Sequence, residues 1–187
     1  MKIVGHHACA NKGENPQVIE LQGPFFSKHV EGNTKQYKFL GSGYYFWDNN
    51  RGRAHVHGLT NYRREYHIFE GEIVIEEDTF LDLAGNRIDM LHFQELMKRL
   101  HQEIEESKTW GIAQFIAFFQ KKKLFPYRAI RAIDTNSNPK AGRDSVHFVP
   151  DRTNFINLNP IFILCLLDTK TDMLISFKHL VTFPNNG

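Results

Sequence analysis

Two neighbouring helices predicted in the middle of the chain, over 88–106 and 110–123, constrain the fold more than any other feature. The first carries apolar side chains at spacings of four, three and four residues, which share one helix face: Phe93, Met97, Leu100 and Ile104. The second is strongly apolar and ends in three lysines, where the helix dipole favours cations. Because strand-like segments lie on both sides of this pair, the sequence predicts an α+β fold with a helical insertion over about 88–123.

The strand-like segments are short apolar or aromatic runs bounded by glycine, proline, aspartate or asparagine. The predicted strands are 2–4, 44–47, 66–75, 127–133 and 161–167, followed by a last strand at either 174–177 or 180–183. Two short helices are predicted over 16–22 and 51–58, the second capped by the Asp-Asn-Asn run before it. The run 161–167 is the most apolar of these segments, so we expect it to be a central strand.

Length and charge narrow the class of protein. A chain of 187 residues with 41% hydrophobic residues suits one domain over 1–187. The net charge of +2 argues against a dedicated nucleic-acid coat or a polybasic membrane binder, although a local basic face stays open. No apolar window approaches the length of a membrane span and no secretory signal is visible, so we expect a cytoplasmic protein without a membrane partner.

Ten histidines and two cysteines raise the question of a metal site. Cys9 and Cys165 lie far apart in the sequence, with no CxxC spacing for a disulfide framework or a structural zinc. No HExxH motif accompanies the histidines, and His55 and His57 are only two residues apart, a spacing that suits neither face of a helix. We therefore predict no metal, and keep a histidine-dependent metallohydrolase as an alternative.

The most specific pattern is a histidine followed by a glycine-tyrosine segment. His6 is expected to end the first strand, and Gly43 and Tyr45 fall in the run Gly-Ser-Gly-Tyr-Tyr-Phe-Trp that opens the second. Glycine lets a backbone approach a ligand closely, a tyrosine ring can lie against a flat heterocycle, and a histidine can donate to a ribose hydroxyl. With the small Ala54 in the next helix, these are the parts needed to hold a nicotinamide riboside.

Four segments in this order resemble the ADP-ribosyltransferases of the diphtheria-toxin and poly(ADP-ribose) polymerase type, the His-Tyr-Glu group. They are Val-Gly-His-His-Ala at 4–8, Val-Ile-Glu-Leu-Gln-Gly at 18–23, Gly-Ser-Gly-Tyr-Tyr-Phe-Trp-Asp at 41–48 and Phe-Glu-Gly-Glu-Ile-Val-Ile at 69–75. The resemblance covers roughly residues 3 to 80 and is thin beyond them. It implies an ADP-ribosyltransferase-like split antiparallel β core with NAD, as substrate, in the cleft.

The resemblance also implies roles for individual residues. It places His6 on the 2′-hydroxyl of the adenine ribose, Tyr45 against the nicotinamide ring, and the backbone of His7 on the nicotinamide carboxamide. Tyr44 alternates to the opposite face of the strand and is expected in the core. The alternative is that His6 and Tyr45 are ordinary residues of a sheet.

The chain departs from the family pattern at two places. Ala8 stands where the family usually has a serine, and the stretch 158–164 offers Asn159 and Pro160 where the family carries its glutamate. That glutamate would stabilise an oxocarbenium-like transition state through its negative charge. Asn159 is therefore the predicted third catalytic residue, and three carboxylates are kept as alternatives: Glu70, Asp144 and Asp151.

Together these features predict a mono-ADP-ribosyltransferase with His6, Tyr45 and Asn159 as catalytic residues, and with His6, His7, Gly43, Tyr45 and Ala54 binding NAD. Nucleic acid, RNA in particular, is slightly favoured over protein as the acceptor because of the basic residues at 51, 53, 63, 64 and 121–123. Compact transferases of this kind resemble bacterial toxins and phage-defence effectors, which implies a neutralising partner such as an antitoxin. The rival from another class is a non-catalytic module that binds NAD or ADP-ribose.

Overall fold

The fold is described here from a computed structural model, over residues 1–30, 32, 38–63, 65–134, 145–147, 155–167 and 172–184. The strands are β1 (Lys2–Ala10), β2 (Tyr44–Asp48), β3 (Tyr66–Val74), β4 (Phe80–Asp82), β5 (Ala129–Ile133), β6 (Ser145–His147), β7 (Phe155–Asn157), β8 (Phe162–Leu166) and β9 (Leu174–Phe183). The helices are α1 (Pro16–Gln22), α2 (Arg51–Asn61), α3 (Arg87–Glu103) and α4 (Ile112–Lys121), with short 3₁₀ turns at Glu77–Thr79 and Glu105–Thr109. The predicted α+β class is confirmed.

Seven strands form one mixed sheet in the order β4-β5-β8-β2-β1-β3-β9, and β6 pairs with β7 separately. The pairs within the large sheet are antiparallel except β4 with β5, which run parallel. A parallel pair needs a long crossover connection, and α3 and α4 supply it. The predicted helical insertion is therefore the connection between β4 and β5, and β8 lies inside the sheet as expected.

Three of the helices, α2, α3 and α4, pack on one face of the sheet, which we call the helix-covered face, whereas Ile19 of α1 packs on the opposite face against Phe69 and Phe177. Phe93 and Leu100 of α3 and Phe115 of α4 are buried against Ile130 and Cys165 of the sheet. The other two predicted contact residues of α3, Met97 and Ile104, are partly buried against the same cluster, so the predicted apolar face of this helix is confirmed. Ala54 of α2 packs on the same side of the sheet, against Ala8 and Ile68.

The sheet bends strongly, so that its opposite face, here called the inner face, closes on itself. Phe46 of β2 and Phe177 of β9 lie three strands apart, about 14 Å in a flat sheet, yet their ring centroids are 6.5 Å apart. Phe46 also touches the position where a Cβ on Gly71 of β3 would lie. The half made of β4, β5, β8 and β2 therefore packs against the half made of β1, β3 and β9.

Two expectations about strand bounds were wrong, and one strand of the large sheet was not predicted. β1 continues to Ala10, so His6 lies inside the strand and does not end it. The expected stop, Gly5, is instead a close-approach position, because a Cβ there would lie 2.8 Å from Cβ of Phe46. β9 is one strand spanning both predicted alternatives, and the short strand β4 was not predicted.

Candidate functional site

β1 and β2 pair over two residues and then separate. The register couples Gly5 with Asp48 and His6 with Trp47, and the ladder ends there although both strands continue. The N–H of Asn49 donates to the carbonyl of Val4, so the backbone groups of Val4 and of every second residue after it face β2. By this alternation the backbone groups of Ala8 face the gap between the strands.

A cavity of about 440 Å³ lies at this separation. Its lining comes from both separating strands, the segment before β2, the helix α2 and the ends of β5 and β8: His7, Ala8, Ser27, Lys38, Phe39, Tyr45, Phe46, Trp47, His57, Tyr62, Asp134 and Ile163. The volume falls in the range of small-molecule sites, and five of these residues carry phenyl, phenol or indole rings. The sequence motifs around 6–8 and 44–47 are therefore brought to one cavity.

Tyr45 presents a fixed ring to this cavity. Its hydroxyl donates to the carbonyl of Gly41 at 2.7 Å, and the ring packs partly buried on the helix-covered face. Gly41 has a φ of +86°, a conformation that favours glycine and turns its carbonyl towards the hydroxyl. Tyr44 lies on the inner face and packs against the core cluster that contains Phe46, as expected from strand alternation.

Asp134 forms another part of the wall and is held by an ion pair with Arg53 behind it. Arg53 of α2 donates from Nε and Nη2 to Oδ2 of Asp134 at 3.1 and 2.7 Å, and the Asp134 side chain is 1% exposed. The guanidinium also lies over the Trp47 ring, 5.4 Å from its centroid. Asn50 fixes the start of this helix, because its side chain accepts from the Arg53 N–H at 2.8 Å.

His57 and Tyr62 bring the other end of α2 to the cavity. The His57 ring lies 5.7 Å from Trp47 and 5.6 Å from Tyr62. Burial lowers the pKa of His57 to about 4, helped by the positive charges of Lys38 and Arg53. The Asn61 amide nitrogen lies 3.2 Å from Nδ1 of His57, and this donor selects the neutral tautomer with its hydrogen on Nε2. The tyrosine hydroxyl donates to the carbonyl of Ala8 at 3.4 Å.

His7 bridges the two separating strands from the inner face. Its Nδ1 lies 2.9 Å from the carbonyl oxygen of Tyr45, and its ring contacts Phe46 and Phe177. Burial lowers the pKa of His7, so the ring is neutral and donates this hydrogen bond from Nδ1. The sequence predicted a backbone role for His7, whereas the alternation of β1 directs the backbone groups of Ala8 to the cavity.

His6 precedes His7 in β1 and belongs to the last residue pair of the β1–β2 ladder. It lies beside the cavity and outside its lining. Its Nε2 is 3.4 Å from a carboxylate oxygen of Glu70, and its Nδ1 is buried without a partner among the described residues. Burial lowers the pKa of His6 and outweighs the raising effect of Glu70. The orphaned Nδ1 is a polar atom that a ligand can satisfy.

Gly43 and Ala54 have packing contacts that explain their small size. A Cβ on Gly43 would lie 2.5 Å from both Sγ of Cys165 and the carbonyl oxygen of Leu166, so glycine allows β2 to approach β8. The backbone N–H and carbonyl of Gly43 are bonded to Ser27. Ala54 is fully buried between α2 and the sheet and does not line the cavity.

Asn159 lies apart from these residues. It is exposed between β7 and β8, and its backbone N–H donates to the side chain of Asn157 at 2.9 Å. The alternatives Asp144 and Asp151 lie outside the described residues. The sequence reasoning missed His57, Tyr62 and Asp134, which only the fold brings to the cavity.

The basic residues are divided in the structure. Arg53 is paired with Asp134 of the cavity lining, whereas Arg51 at the start of α2 and Arg63 just beyond its end are exposed, and 64 lies outside the described residues. The three lysines at 121–123 are exposed at the end of α4. Among the described residues, no three His, Cys, Asp or Glu side chains are grouped so that they could hold a metal ion. In the same part of the chain no helix is long and apolar enough to cross a membrane.

The chain was compared with models of protein families, with curated proteins and with solved structures, and none of them matches it. The geometry and chemistry of the cavity are therefore the basis for a functional proposal.

Proposed function

We propose that the protein is a mono-ADP-ribosyltransferase, with an ADP-ribosyltransferase-like split β core, that moves ADP-ribose from NAD to a macromolecular acceptor. The observation that carries this proposal is the cavity at the separation of β1 and β2. Both motifs of the sequence, His6-His7-Ala8 and Tyr44–Trp47, meet at this separation. A cleft between two strands can take the nicotinamide end of NAD, with protein backbone on one side and an aromatic ring on the other.

Three groups suit the nicotinamide riboside. Ala8 turns its backbone groups towards the gap and can pair with the carboxamide, while the ring of Tyr45 offers a flat surface for the pyridinium. Nδ1 of His6, on the neighbouring residue pair of β1, is buried with no hydrogen-bond partner in the part of the chain that the structure describes, and can bond a ribose hydroxyl. Lys38 adds a positive charge to the lining, which favours the pyrophosphate.

The reaction is a glycosyl transfer. The bond between C1 of the ribose and the nicotinamide nitrogen breaks, and its electron pair leaves with nicotinamide, which becomes neutral. An acceptor oxygen or nitrogen forms the new bond to C1 and loses a proton to solvent. The positive charge that develops on the ribose is the feature that the protein has to stabilise.

For the acceptor we propose nucleic acid, RNA in particular. Arg51 at the start of α2 and Arg63 just beyond its end are exposed, and His57 and Tyr62 between them line the cavity, so exposed cations lie at both ends of the segment that borders the site. Cations beside aromatic rings suit a phosphate backbone with unstacked bases. By the same resemblance to toxins and defence effectors, we propose that a neutralising partner protein accompanies the enzyme in the cytoplasm.

The second candidate function is a non-catalytic module that binds NAD or ADP-ribose. One observation favours it: the segment leading into β8 carries no carboxylate, and Asn159, the residue expected to act there, is exposed and outside the cavity lining. Such a module would bind NAD and release no nicotinamide. Release of nicotinamide therefore distinguishes the two functions, whereas affinity for NAD does not.

The test is transfer of a radioactive label from adenylate-labelled NAD to a whole-cell extract, with nicotinamide release measured in parallel. We expect labelled product with the natural chain and none with Tyr45→Ala or His6→Ala. Tyr44→Ala is the matched control, because it removes the same atoms from the opposite face of β2. Transfer should survive in that control at a temperature where it stays folded.

Nuclease and protease digestion of the labelled product then identifies the acceptor. Loss of the label with ribonuclease supports RNA, and loss with protease replaces RNA by protein. NAD binding without label transfer or nicotinamide release would select the binding module. Full activity of both Tyr45→Ala and His6→Ala would refute the site.

A further inference from the structure

We propose that Asp134 is the carboxylate of the reaction centre, that it faces the developing charge of the ribose, and that Arg53 holds it in place. This inference rests on the proposed transfer reaction. It moves the third catalytic position from the segment before β8, where the sequence offered Asn159, to the end of the neighbouring strand β5.

The backbone places Asp134 beside the expected position. Asp134 directly follows β5, and its N–H donates to the carbonyl of Ile161 at 2.8 Å, immediately before β8. β5 and β8 are paired up to that point, with Ile133 opposite Phe162. The carboxylate thus lies one strand away from the start of β8, at the same end of the sheet.

Strand alternation directs the Asp134 side chain to the side of the cavity. Ile130 and Ala132 of β5 lie on the helix-covered face, and the next residue in that alternation is Asp134. Ile163 of β8, which also lines the cavity, is paired with Trp47 of β2. β5, β8 and β2 therefore bring Asp134, Ile163 and Trp47 to one wall.

Asp134 is the only residue with a carboxyl group among the described residues that line the cavity. Its side chain is almost fully buried, and burying a carboxylate is costly unless a cation compensates it. Arg53 provides that cation, since two of its nitrogens donate to the same oxygen, Oδ2. Asp134 lines the cavity and Arg53 does not, so the carboxylate is the nearer of the two charges to a cation that develops there.

The chemistry needs such a group. When the bond from C1 to nicotinamide stretches, positive charge spreads over C1 and the ring oxygen of the ribose, as in glycoside hydrolysis. A carboxylate beside that ring stabilises the transition state more than the substrate. Asp134 thus stabilises the transition state through its charge alone and accepts no proton, because the proton of the acceptor leaves to solvent. Arg53 is a positioning residue, because it acts through Asp134.

Glu70, the other described carboxylate considered from the sequence, fits less well. It lies 3.4 Å from Nε2 of His6, its side chain is 45% exposed, and it does not line the cavity. Water around it screens its charge. It is the natural comparison in an experiment that removes one carboxylate at a time.

The experiment uses the full chain with NAD and measures NAD affinity by calorimetry and nicotinamide release by chromatography. Asp134→Asn is expected to reduce nicotinamide release about 100-fold or more, the scale seen when one transition-state group is removed, with NAD affinity changed only a few-fold. Asp48→Asn is the matched control: Asp48 is a largely buried carboxylate, 12% exposed, that is paired with Arg131 at 3.0 Å and lies outside the cavity lining. It should keep its rate within a few-fold.

Three further variants keep the test decisive if Asp134→Asn folds poorly. Asp134→Glu retains the charge and should retain part of the activity, while thermal unfolding reports on the fold of each variant. Arg53→Met should lower kcat with little change in KM for NAD, and Arg53→Lys should restore part of kcat. A purely structural pair would not produce that split.

The outcomes separate the inference from the proposed function. If the natural chain binds NAD but releases no nicotinamide, the proposed function fails and this inference falls with it. If the natural chain is active and folded Asp134→Asn keeps its rate, or if Glu70→Gln or Asn159→Ala alone abolishes it, the transfer reaction stands and the inference is overturned.

Discussion

Replacing Gly43 with alanine tests whether this glycine serves the sheet or a ligand. The new Cβ would lie 2.5 Å from Sγ of Cys165 and 2.5 Å from the carbonyl oxygen of Leu166, about 1 Å inside normal contact. The carbonyl belongs to the backbone of β8 and cannot rotate away. β2 and β8 must therefore separate locally, and overpacking of this kind costs about 1–3 kcal/mol.

For a chain of this length a change of 1 kcal/mol shifts the melting temperature by about 2–4 °C. Gly43→Ala is thus expected to lower it by roughly 2–12 °C in a thermal scan followed by circular dichroism. Gly52→Ala is the matched control, because the atom nearest to the new Cβ is Oδ1 of Asn50, at an ordinary contact distance of 3.6 Å, and the residue lies within α2. Alanine there should raise stability by up to about 1 kcal/mol.

The comparison has a clear refuting result. If Gly43→Ala melts at the same temperature as the natural chain but loses NAD binding, the glycine serves close approach of a ligand, as the sequence suggested. If the melting temperature falls and the additional change Cys165→Ala recovers part of it, the strand-approach explanation holds.

Two further predictions concern buried charge. His57 is harder to protonate in the folded chain than in the unfolded chain, so the free energy of unfolding should fall as the pH drops from 6.5 towards 4, by up to about 3 kcal/mol from this residue, and no further below it. Urea unfolding at several pH values measures this slope, and an undiminished slope in His57→Gln would contradict the assignment. Asp82→Asn leaves Arg131 with only Asp48 as its ion-pair partner among the described residues and should cost about 3 kcal/mol in the same urea assay. A loss below about 1 kcal/mol would show that Asp48 alone satisfies the arginine.

Much of the secondary structure could be predicted because the local signals are strong. α3 repeats its apolar residues at helical spacing, and Pro16 starts α1 as expected. The Asn15 side chain caps that helix by accepting from the N–H of Gln17. β4 was missed because a strand of three residues shows no alternation to detect. Gly5 was misread because a glycine that ends a strand and one that admits a neighbouring Phe46 look alike in sequence.

The residues of the candidate site also divide into those that a local sequence motif predicts and those that only the fold brings together. Tyr45 and His7 could be predicted, since a motif within a few residues carries them. Arg53 and Asp134 are 81 residues apart, and no local pattern connects them before β5, β8 and α2 are in place. His57 lay in a helix that was predicted, yet its spacing from His55 gave no sign that the two would diverge, His57 towards Trp47 and His55 towards Tyr66.

The early end of the β1–β2 ladder gives the site a built-in reporter. Ala8 lies within β1, and its amide faces the side on which β2 is no longer paired with β1. The flanking amides of His7 and Cys9 face β3. In hydrogen–deuterium exchange, a fast-exchanging amide should therefore stand between two slow ones. Any small molecule that occupies the cleft and bonds this backbone would slow that one amide, so occupancy can be followed before any product or acceptor is known.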